Sequence, residues 1–399
     1  MKQFLTIIAV LLTLSACHHD DTPEETERVV MVYMANDNSG NWALDLRSDI
    51  RQMMEGSKHV SSANKLLAFI DMPSQKPFIL EIAKGDTTRV YQYKESLNSS
   101  DATVMGSVLS KIVSDYPAKE YALVLWGHAT GWEIYGDTRA DNAGASAART
   151  AGPRRGYGVE HGTNWMNIPD MARELQKLPK LKYIFADCCC FQSVEVDYEL
   201  RQVTDYIIAS AAEIPGEGAP YQTVVPALFG TADDFYKPIV DAYFEQVSWG
   251  YREPLSVVKT SEMEDLATAT HDVLATFVPQ GETSYPDVSG LIYYYYYDRT
   301  LDPNPAFFDM NDFILRHASD NDYQQWRRTF DKAVVYSTFV NEWMANHVSF
   351  YDFKATKERY GGVSMFVLQP DKTTFLSKLN KTISRMQWYS AARLSDFGW

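Results

Sequence analysis

Two short apolar runs, each ending in reactive side chains, decide the fold of this chain. Residues 121–128 read YALVLWGH and residues 183–190 read YIFADCCC. Both runs are continuously apolar, which is typical of strands buried on both faces of a parallel sheet. Further runs of this kind at 29–34, 66–70 and 206–209 are separated by stretches with helical spacing. This alternation predicts an α/β fold in which helices cover both faces of a mostly parallel sheet.

The ends of the first two strands carry the candidate chemistry. His128 follows one strand and Cys188, Cys189 and Cys190 follow the other. Ligands of open parallel sheets lie beyond the carboxyl ends of the strands, so these side chains are expected to lie side by side. A cysteine nucleophile needs thiolate character and a base, and histidine supplies both. Spacing alone leaves open a purely structural histidine and does not choose among the three cysteines.

Composition narrows the class of protein. The 399 residues include 37 Lys and Arg against 52 Asp and Glu, a formal net charge of -15. Such a surface repels phosphate backbones, so no nucleic-acid partner is expected, whereas cationic substrates are favoured. Four cysteines are too few for a disulfide framework. With no Cys-x-x-Cys or paired Cys/His spacing, a redox or metal-binding role is the weakest hypothesis, and no metal site is predicted.

The amino-terminal segment is predicted to be a targeting signal. Residues 1–16 combine Lys2 with an apolar run too short to span a membrane comfortably. The sequence LSAC at 14–17 resembles a bacterial lipoprotein cleavage box, which implies lipidation of Cys17 and a lipid-anchored outer-membrane protein of the cell envelope. A plain secretory signal is the alternative, and periplasmic or surface placement stays open. Residues 17–28 are acidic and are expected to form a flexible tether.

The rest of the chain divides by pattern into two parts. Residues 29–250 carry the strand–helix alternation, interrupted at 134–163 by a stretch rich in Gly, Ala, Arg and Asn that is expected to be an exposed loop. Helical spacing dominates residues 251–399, which predicts a mainly helical C-terminal subdomain. Within it, the five tyrosines at 293–297 are interpreted as a packed strand, with a stacking surface for glycan or peptide as the alternative.

Four blocks of sequence resemble the clostripain family of cysteine peptidases, which share the caspase, gingipain and legumain type of fold. The blocks read VYMANDN at 32–38, WGHATGW at 126–132, DCCCFQSVE at 187–195 and ASAAEIPGEG at 209–218. The resemblance implies a caspase-like three-layer α/β/α sandwich for residues 29–250. It carries the catalytic roles over to His128 and to Cys189. Cys188 and Cys190 are then expected to be small hydrophobic residues.

The resemblance also implies an oxyanion hole and a specificity pocket. The backbone N–H groups of Cys189 and of the residue after the histidine form the oxyanion hole. That residue is usually Gly and here is Ala129, which keeps the N–H but would be strained at positive φ. Asp187 is expected in the pocket that receives a basic side chain, with Glu213 and Glu217 at its rim. A turn-forming role for this aspartate is the alternative.

The function implied is hydrolysis of peptide bonds after Arg, or also Lys, in protein or peptide substrates. Family members are often cleaved between the histidine and the cysteine, so self-cleavage is expected in the loop, with Arg149 favoured, to give a monomer of two associated chains. The chemistry needs no cofactor; calcium remains open because some family members depend on it, although no calcium-loop motif is present. A catalytically inactive surface lipoprotein that binds peptide or glycan is the alternative function.

Overall fold

The structure is a computed structural model that describes residues 26–35, 42–72, 75–134, 157–160, 164–248, 250–297, 304–345 and 349–399. The strands are β1 (Thr26–Ala35), β2 (Asn64–Asp71), β3 (Phe78–Ala83), β4 (Asp86–Gln92), β5 (Ala118–Trp126), β6 (Tyr157–Glu160), β7 (Asn164–Met166), β8 (Ile184–Asp187), β9 (Tyr206–Ala209), β10 (Ser256–Lys259), β11 (Tyr293–Tyr297), β12 (Asn304–Asp309), β13 (Val334–Ser337), β14 (Glu342–Ala345), β15 (Ser349–Asp352) and β16 (Ser364–Met365). The helices are α1 (Trp42–Ser57), α2 (Ala102–Asp115), α3 (Ile168–Leu175), α4 (Val194–Leu200), α5 (Tyr221–Ala227), α6 (Tyr236–Glu245), α7 (Met263–Leu274), α8 (Met310–His317), α9 (Asp320–Ala333), α10 (Thr374–Thr382) and α11 (Gln387–Ala391).

A twisted main sheet forms the centre of the fold, with strands in the order β13-β10-β9-β8-β5-β1-β2-β3-β4. The strands from β9 to β2 in this order are parallel. Antiparallel pairs extend the sheet at both edges, through β3 and β4 on one side and through β10 and β13 on the other. The parallel strands therefore have their carboxyl ends at one edge of the sheet, where ligand sites of such folds are found.

Both faces of this sheet are buried, which explains the continuously apolar strands. Alternate residues of β1 enter different core clusters because successive side chains of a strand point to opposite faces. Met31 packs with Met105 of α2 and Met171 of α3 on one face. Val32 packs with Val224 of α5 on the other face, together with residues of α1 and α6. The three layers confirm the predicted α/β/α sandwich with a mostly parallel sheet.

Two predicted boundaries differ from the limits of the strands. β10 and β13 lie after residue 250 and belong to the main sheet, so the sheet continues into the predicted C-terminal subdomain. Short edge strands such as Val334–Ser337 continue a helical pattern in the sequence, which hid them. The tether was expected to run to residue 28, but β1 begins at residue 26. The Arg28 side chain is buried there and binds Glu120 at 2.6 Å.

The expected exposed loop at 134–163 is anchored at its described ends. Ile134 is buried, and Tyr157 is fully buried in β6, where its hydroxyl donates to the carbonyls of Tyr33 and Trp126 at 2.8 and 2.9 Å. The expectation of an exposed loop is therefore wrong for these residues. Its four arginines lie outside the described residues, as do the predicted signal segment and Cys17.

The tyrosine run lies in β11 of a three-stranded sheet with β12 and β16. Tyr294 and Tyr295 are both buried, and the Tyr294 hydroxyl donates to Asp309 at 2.5 Å. These two rings therefore belong to the core, as the interpretation of a packed strand required. Within the described ranges, no helix is long and apolar enough to cross a membrane.

Candidate active site

The predicted histidine and cysteine follow neighbouring strands, and each lies the same number of residues beyond a paired strand residue. β5 and β8 are adjacent and parallel, and Trp126 is paired in register with Asp187. His128 lies two residues beyond the first of these and Cys189 two residues beyond the second. The Gly127 N–H also reaches toward the Asp187 carbonyl at 3.4 Å. The strand register therefore brings the two turns to the same place on the sheet edge.

The turn that carries His128 depends on two glycines. Gly127 and Gly131 have φ angles of 141° and 68°, in the region that favours glycine. A Cβ atom at Gly131 would lie 2.9 Å from the carbonyl oxygen of Cys190, so this turn packs directly on the cysteine turn. The half-buried imidazole of His128 lies beside the indole of Trp165, with ring centroids 6.3 Å apart.

The cysteine turn is held by the segment that follows β9. The Cys190 N–H donates to the Ala212 carbonyl at 2.8 Å, and the Gln192 N–H donates to Ser210 at 3.0 Å. Ser193 then caps α4 by accepting from the Val196 N–H. Cys190 itself has a φ of 52°, a left-handed conformation that costs a non-glycine residue on the order of 1 kcal/mol. These contacts fix the backbone that presents the preceding residue.

Exposure separates the three thiols. Cys188 and Cys190 are 0% and 1% exposed, whereas Cys189 is partly exposed. A nucleophile must be reached by its substrate, so the middle thiol is the one suited to attack. Its sulfur accepts a hydrogen bond from the Ile214 N–H at 3.4 Å.

The environment of the Cys189 sulfur favours the neutral thiol. Burial raises its pKa most, and the nearby carboxyl of Glu213 raises it further, against a smaller opposing effect of the Ile214 backbone. A thiolate at neutral pH therefore needs a proton acceptor or a cation close by. His128 is the candidate acceptor on the adjacent strand end.

Ala129 carries no left-handed strain. Its φ is not positive, unlike that of Cys190. Ala129 is buried and forms an isolated bridge with Tyr157. Alanine in place of the usual glycine is therefore accommodated by this backbone.

Asp187 lies in a cage of hydrogen-bond donors. Its Oδ2 accepts from the Ala219 N–H at 3.0 Å and from the Tyr221 hydroxyl at 2.7 Å, and its Oδ1 accepts from the Tyr243 hydroxyl at 3.4 Å. The carboxyl is 3% exposed, and burial raises its pKa to about 6 even though these donors lower it. Gly218 approaches closely, since a Cβ atom there would lie 2.9 Å from Oδ2. Three of about four acceptor positions are therefore occupied.

The two glutamates expected at the pocket differ in placement. Glu213 is buried, forms an isolated bridge with Met344 and lies close enough to Cys189 to affect the pKa of its thiol. Glu217 is exposed, next to the glycine that contacts Asp187. Arg149 and Cys17 lie outside the described residues.

Sequence reasoning missed three side chains at this edge. Tyr221 and Tyr243 hold Asp187, and only the first stood near a recognised block. Glu253, which precedes β10, is 3% exposed, and its pKa is raised by burial and then by the nearby Glu213 carboxyl. No motif marked it, because it precedes β10, a strand that the sequence pattern did not reveal. In the part of the chain that the structure covers, no group of three or more His, Cys, Asp or Glu side chains is arranged to hold a metal ion.

Comparison with known proteins identifies the family of the chain. The model of the clostripain family, a family of C11 peptidases, matches residues 32–397, which is most of the chain. Among proteins with curated functions, none matches this sequence.

Solved structures of C11 proteases share the fold. A secreted C11 cysteine protease from Bacteroides thetaiotaomicron, in complex with an irreversible peptide inhibitor, is 27% identical with a TM-score of 0.74, and the match covers 92% of this chain and 98% of that one. An inactive zymogen C11 protease from Parabacteroides distasonis is 26% identical with a TM-score of 0.72, covering 92% and 97% of the two chains. A B. fragilis cysteine protease is 32% identical with a TM-score of 0.53, covering 61% and 99%. The chain belongs to the clostripain family and is a cysteine peptidase with a caspase-like fold that acts on protein or peptide substrates.

Proposed function

We propose that this peptidase is an endopeptidase that cleaves after Arg, with Lys as a second basic residue, through a Cys189–His128 dyad. The observation that carries the proposal is the strand register, which sets both residues at equal distance beyond the Trp126–Asp187 pair. The accessible thiol of the triplet is the one at that position. Buried carboxyls on neighbouring elements supply the acidic surroundings that a cationic side chain needs.

The dyad performs hydrolysis in two steps. His128 takes the thiol proton, and the Cys189 sulfur attacks the carbonyl carbon of the substrate to form a C–S bond. The C–N bond then breaks, and the departing amine takes the proton from the imidazole. Water, deprotonated by the same imidazole, attacks the acyl carbon and breaks the C–S bond. These steps need neither a metal nor an organic cofactor.

Two backbone N–H groups are proposed to stabilise the oxyanion. Within the described part of the chain, the Cys189 N–H makes no backbone hydrogen bond, so it is available to a substrate oxygen. The second donor is the N–H of Ala129, which needs no left-handed backbone. Each preorganised donor of this kind contributes about 3 kcal/mol to the transition state.

Asp187, Glu213 and Glu217 are proposed to form the specificity pocket for the basic side chain. Asp187 is held in place by two tyrosines and one backbone N–H, which supports a fixed negative site at the base of the pocket. Glu213 adds a second buried carboxyl close to the nucleophile. A basic side chain would offset the cost of burying the carboxyls of Asp187 and Glu213.

Self-cleavage between His128 and Cys189 is part of the proposal, with Arg149 favoured because small residues flank it. An inactive zymogen among the structural relatives supports a precursor form. Intact-mass measurement of the wild type and of Cys189→Ala tests it. Two fragments produced by cleavage after Arg149 are expected for the wild type alone, and identical intact masses of the two proteins would overturn this part.

We also propose lipid attachment at Cys17 and an outer-membrane location in a bacterial envelope. The LSAC sequence supports it, as does the secreted relative from Bacteroides thetaiotaomicron. Membrane fractionation of wild type and Cys17→Ser decides it. The variant is expected in the soluble fraction, and equal membrane retention would contradict lipidation.

A panel of aminomethylcoumarin peptides with Arg, Lys or Asp at the cleaved position tests the main proposal. Turnover of the Arg and Lys peptides that is lost in Cys189→Ala is expected. Turnover of the Asp peptide instead would refute the basic specificity. If the processed protein turns over none of these peptides, the proposed endopeptidase is wrong. The result then favours the alternative function, an inactive lipoprotein that binds peptide or glycan.

A further inference from the structure

The indole of Trp165 lies directly beside the imidazole of His128. The two ring centroids are 6.3 Å apart, and the ring planes are inclined by 56°. Aromatic rings pack against each other at centroid distances of roughly 4.5 to 7 Å, so these two rings are in contact. Both side chains are partly exposed. None of the proposed catalytic steps involves the indole.

The orientation of Trp165 is set by the strand pair β6–β7. Tyr157 of β6 pairs with Met166 of β7 in an antiparallel arrangement. Met166 is 2% exposed and packs in the core, and successive side chains of a strand point to opposite faces. The backbone of β7 therefore directs the preceding side chain, that of Trp165, away from this core and onto the imidazole.

The same strand pair is fixed to both sides of the histidine turn. The Tyr157 hydroxyl donates to the carbonyl of Tyr33 in β1 at 2.8 Å and to that of Trp126 in β5 at 2.9 Å. Tyr157 also forms an isolated bridge with Ala129. Trp126 precedes the histidine turn and Ala129 directly follows His128. The indole and the imidazole are therefore held in one rigid frame.

Hydrogen bonding does not explain the position of the indole. The Nε1 atom of Trp165 is buried, and it has no hydrogen-bond partner among the residues that the structure describes. A buried N–H group without a partner is unfavourable. The ring contact with His128 is therefore what this side chain supplies. A phenylalanine would keep a ring at this place without the unpaired N–H.

We infer that Trp165 is a positioning residue that holds the His128 imidazole in the orientation that accepts the thiol proton of Cys189. The inference rests on the proposed dyad. The turn glycines on either side, Gly127 and Gly131, have no side chains that could restrict the imidazole. Catalytic groups must be held to within about 0.5 Å, and a displacement of about 1 Å can lower the rate by about 100-fold.

A double-mutant cycle on the alkylation of Cys189 by iodoacetamide tests whether Trp165 acts through the imidazole. The processed protein is used, and peptide mapping assigns the adduct. Trp165→Ala is expected to slow alkylation by about tenfold when His128 is present. In a His128→Ala background, it is expected to cause no further change. Equal slowing in both backgrounds would overturn the inference.

Steady-state kinetics on the coumarin peptide that the protein turns over fastest give the second readout. Trp165→Ala is expected to lower kcat by about tenfold while KM stays within about threefold, because the imidazole acts in the chemical steps. Trp165→Phe is expected to restore most of kcat. Phe277→Ala is the matched control, since Phe277 is also partly exposed and stacks on a histidine outside the candidate site, His317, at 5.4 Å. Its kcat should equal that of the wild type.

Thermal unfolding shows whether the variants are folded. If Trp165→Ala does not fold, Trp165→Leu replaces it in both experiments, because leucine fills part of the volume without a ring. The loss of rate expected for Trp165→Leu is at least about threefold. A folded variant without the ring that keeps the wild-type rate would overturn the inference.

The outcomes separate this inference from the proposed function. If His128→Ala does not slow alkylation of Cys189, the dyad is wrong and the inference falls with it. If His128→Ala slows alkylation but Trp165→Ala does not, the dyad stands and Trp165 is not a positioning residue. Equal losses of kcat in Trp165→Phe and Trp165→Ala would contradict a role of the ring contact.

Discussion

Replacing Tyr221 by Phe tests the cage around Asp187 with the removal of one oxygen atom. The hydroxyl is fully buried and donates to Asp187 Oδ2 at 2.7 Å. A hydrogen bond to a charged acceptor contributes about 2 kcal/mol, and one to a neutral acceptor about 1 kcal/mol. The loss of stability should therefore depend on whether the aspartate is ionised.

The direction of the pH dependence follows from the raised pKa of Asp187, which is about 6 instead of the usual 3.8. Protonation of this carboxyl favours the folded state at low pH, and that contribution is lost as pH rises through about 6. At pH 8 the carboxylate depends most on Tyr221, so Tyr221→Phe should lower the free energy of unfolding by about 2 kcal/mol. At pH 5 the loss should be about 1 kcal/mol. The difference corresponds to a further rise of just under one unit in the pKa of Asp187.

Urea unfolding at pH 5 and pH 8 measures both losses. Tyr183→Phe is the matched control, since that buried hydroxyl donates at 2.6 Å to a neutral backbone carbonyl, that of Leu228. Its loss should be the same at both pH values. If Tyr221→Phe also costs the same at pH 5 and pH 8, the ionised carboxylate is not what the tyrosine holds, and the reasoning is refuted.

Four further substitutions test the two turns. In thermal unfolding, Gly131→Ala should lower stability by at least about 1 kcal/mol more than Gly281→Ala. Both glycines have positive φ, but only at Gly131 would an added Cβ lie 2.9 Å from a backbone oxygen. Equal losses would show that the turns do not pack as described. Cys189→Ala should abolish peptide turnover in the coumarin assay, whereas Cys188→Ala should retain it with a loss of stability of about 1 kcal/mol from the buried sulfur. Cys190→Ala should likewise retain turnover, and loss of turnover in either neighbouring variant without unfolding would place the nucleophile elsewhere.

The central strands could be predicted because their burial requires continuous runs of apolar residues in the sequence. The run at 206–209 coincides with β9, and the run at 121–126 falls inside β5. Each strand is covered on both faces, so apolar side chains occupy every position and the pattern is strong. The edge strands lack that signal. β4 has mostly exposed or partly exposed residues, and β13 follows α9 without a break in the helical pattern.

The residues of the candidate site were predictable to the extent that they follow buried strands. His128 and Cys189 follow two such strands, which the topology makes neighbours in the sheet. Tyr221, Tyr243 and Glu253 come from later segments whose positions depend on tertiary packing. A tyrosine in α6 gives no sign in the sequence that its hydroxyl reaches an aspartate 56 positions earlier.

Covalent labelling of the triplet tests the dyad most directly. A peptide chloromethyl ketone with arginine next to the reactive group is added to the processed protein, and the modified cysteine is found by peptide mapping. The proposed dyad and pocket predict a single adduct on Cys189, formed much more slowly in His128→Ala. An adduct on Cys188 or Cys190, or equal rates with and without the imidazole, would contradict them.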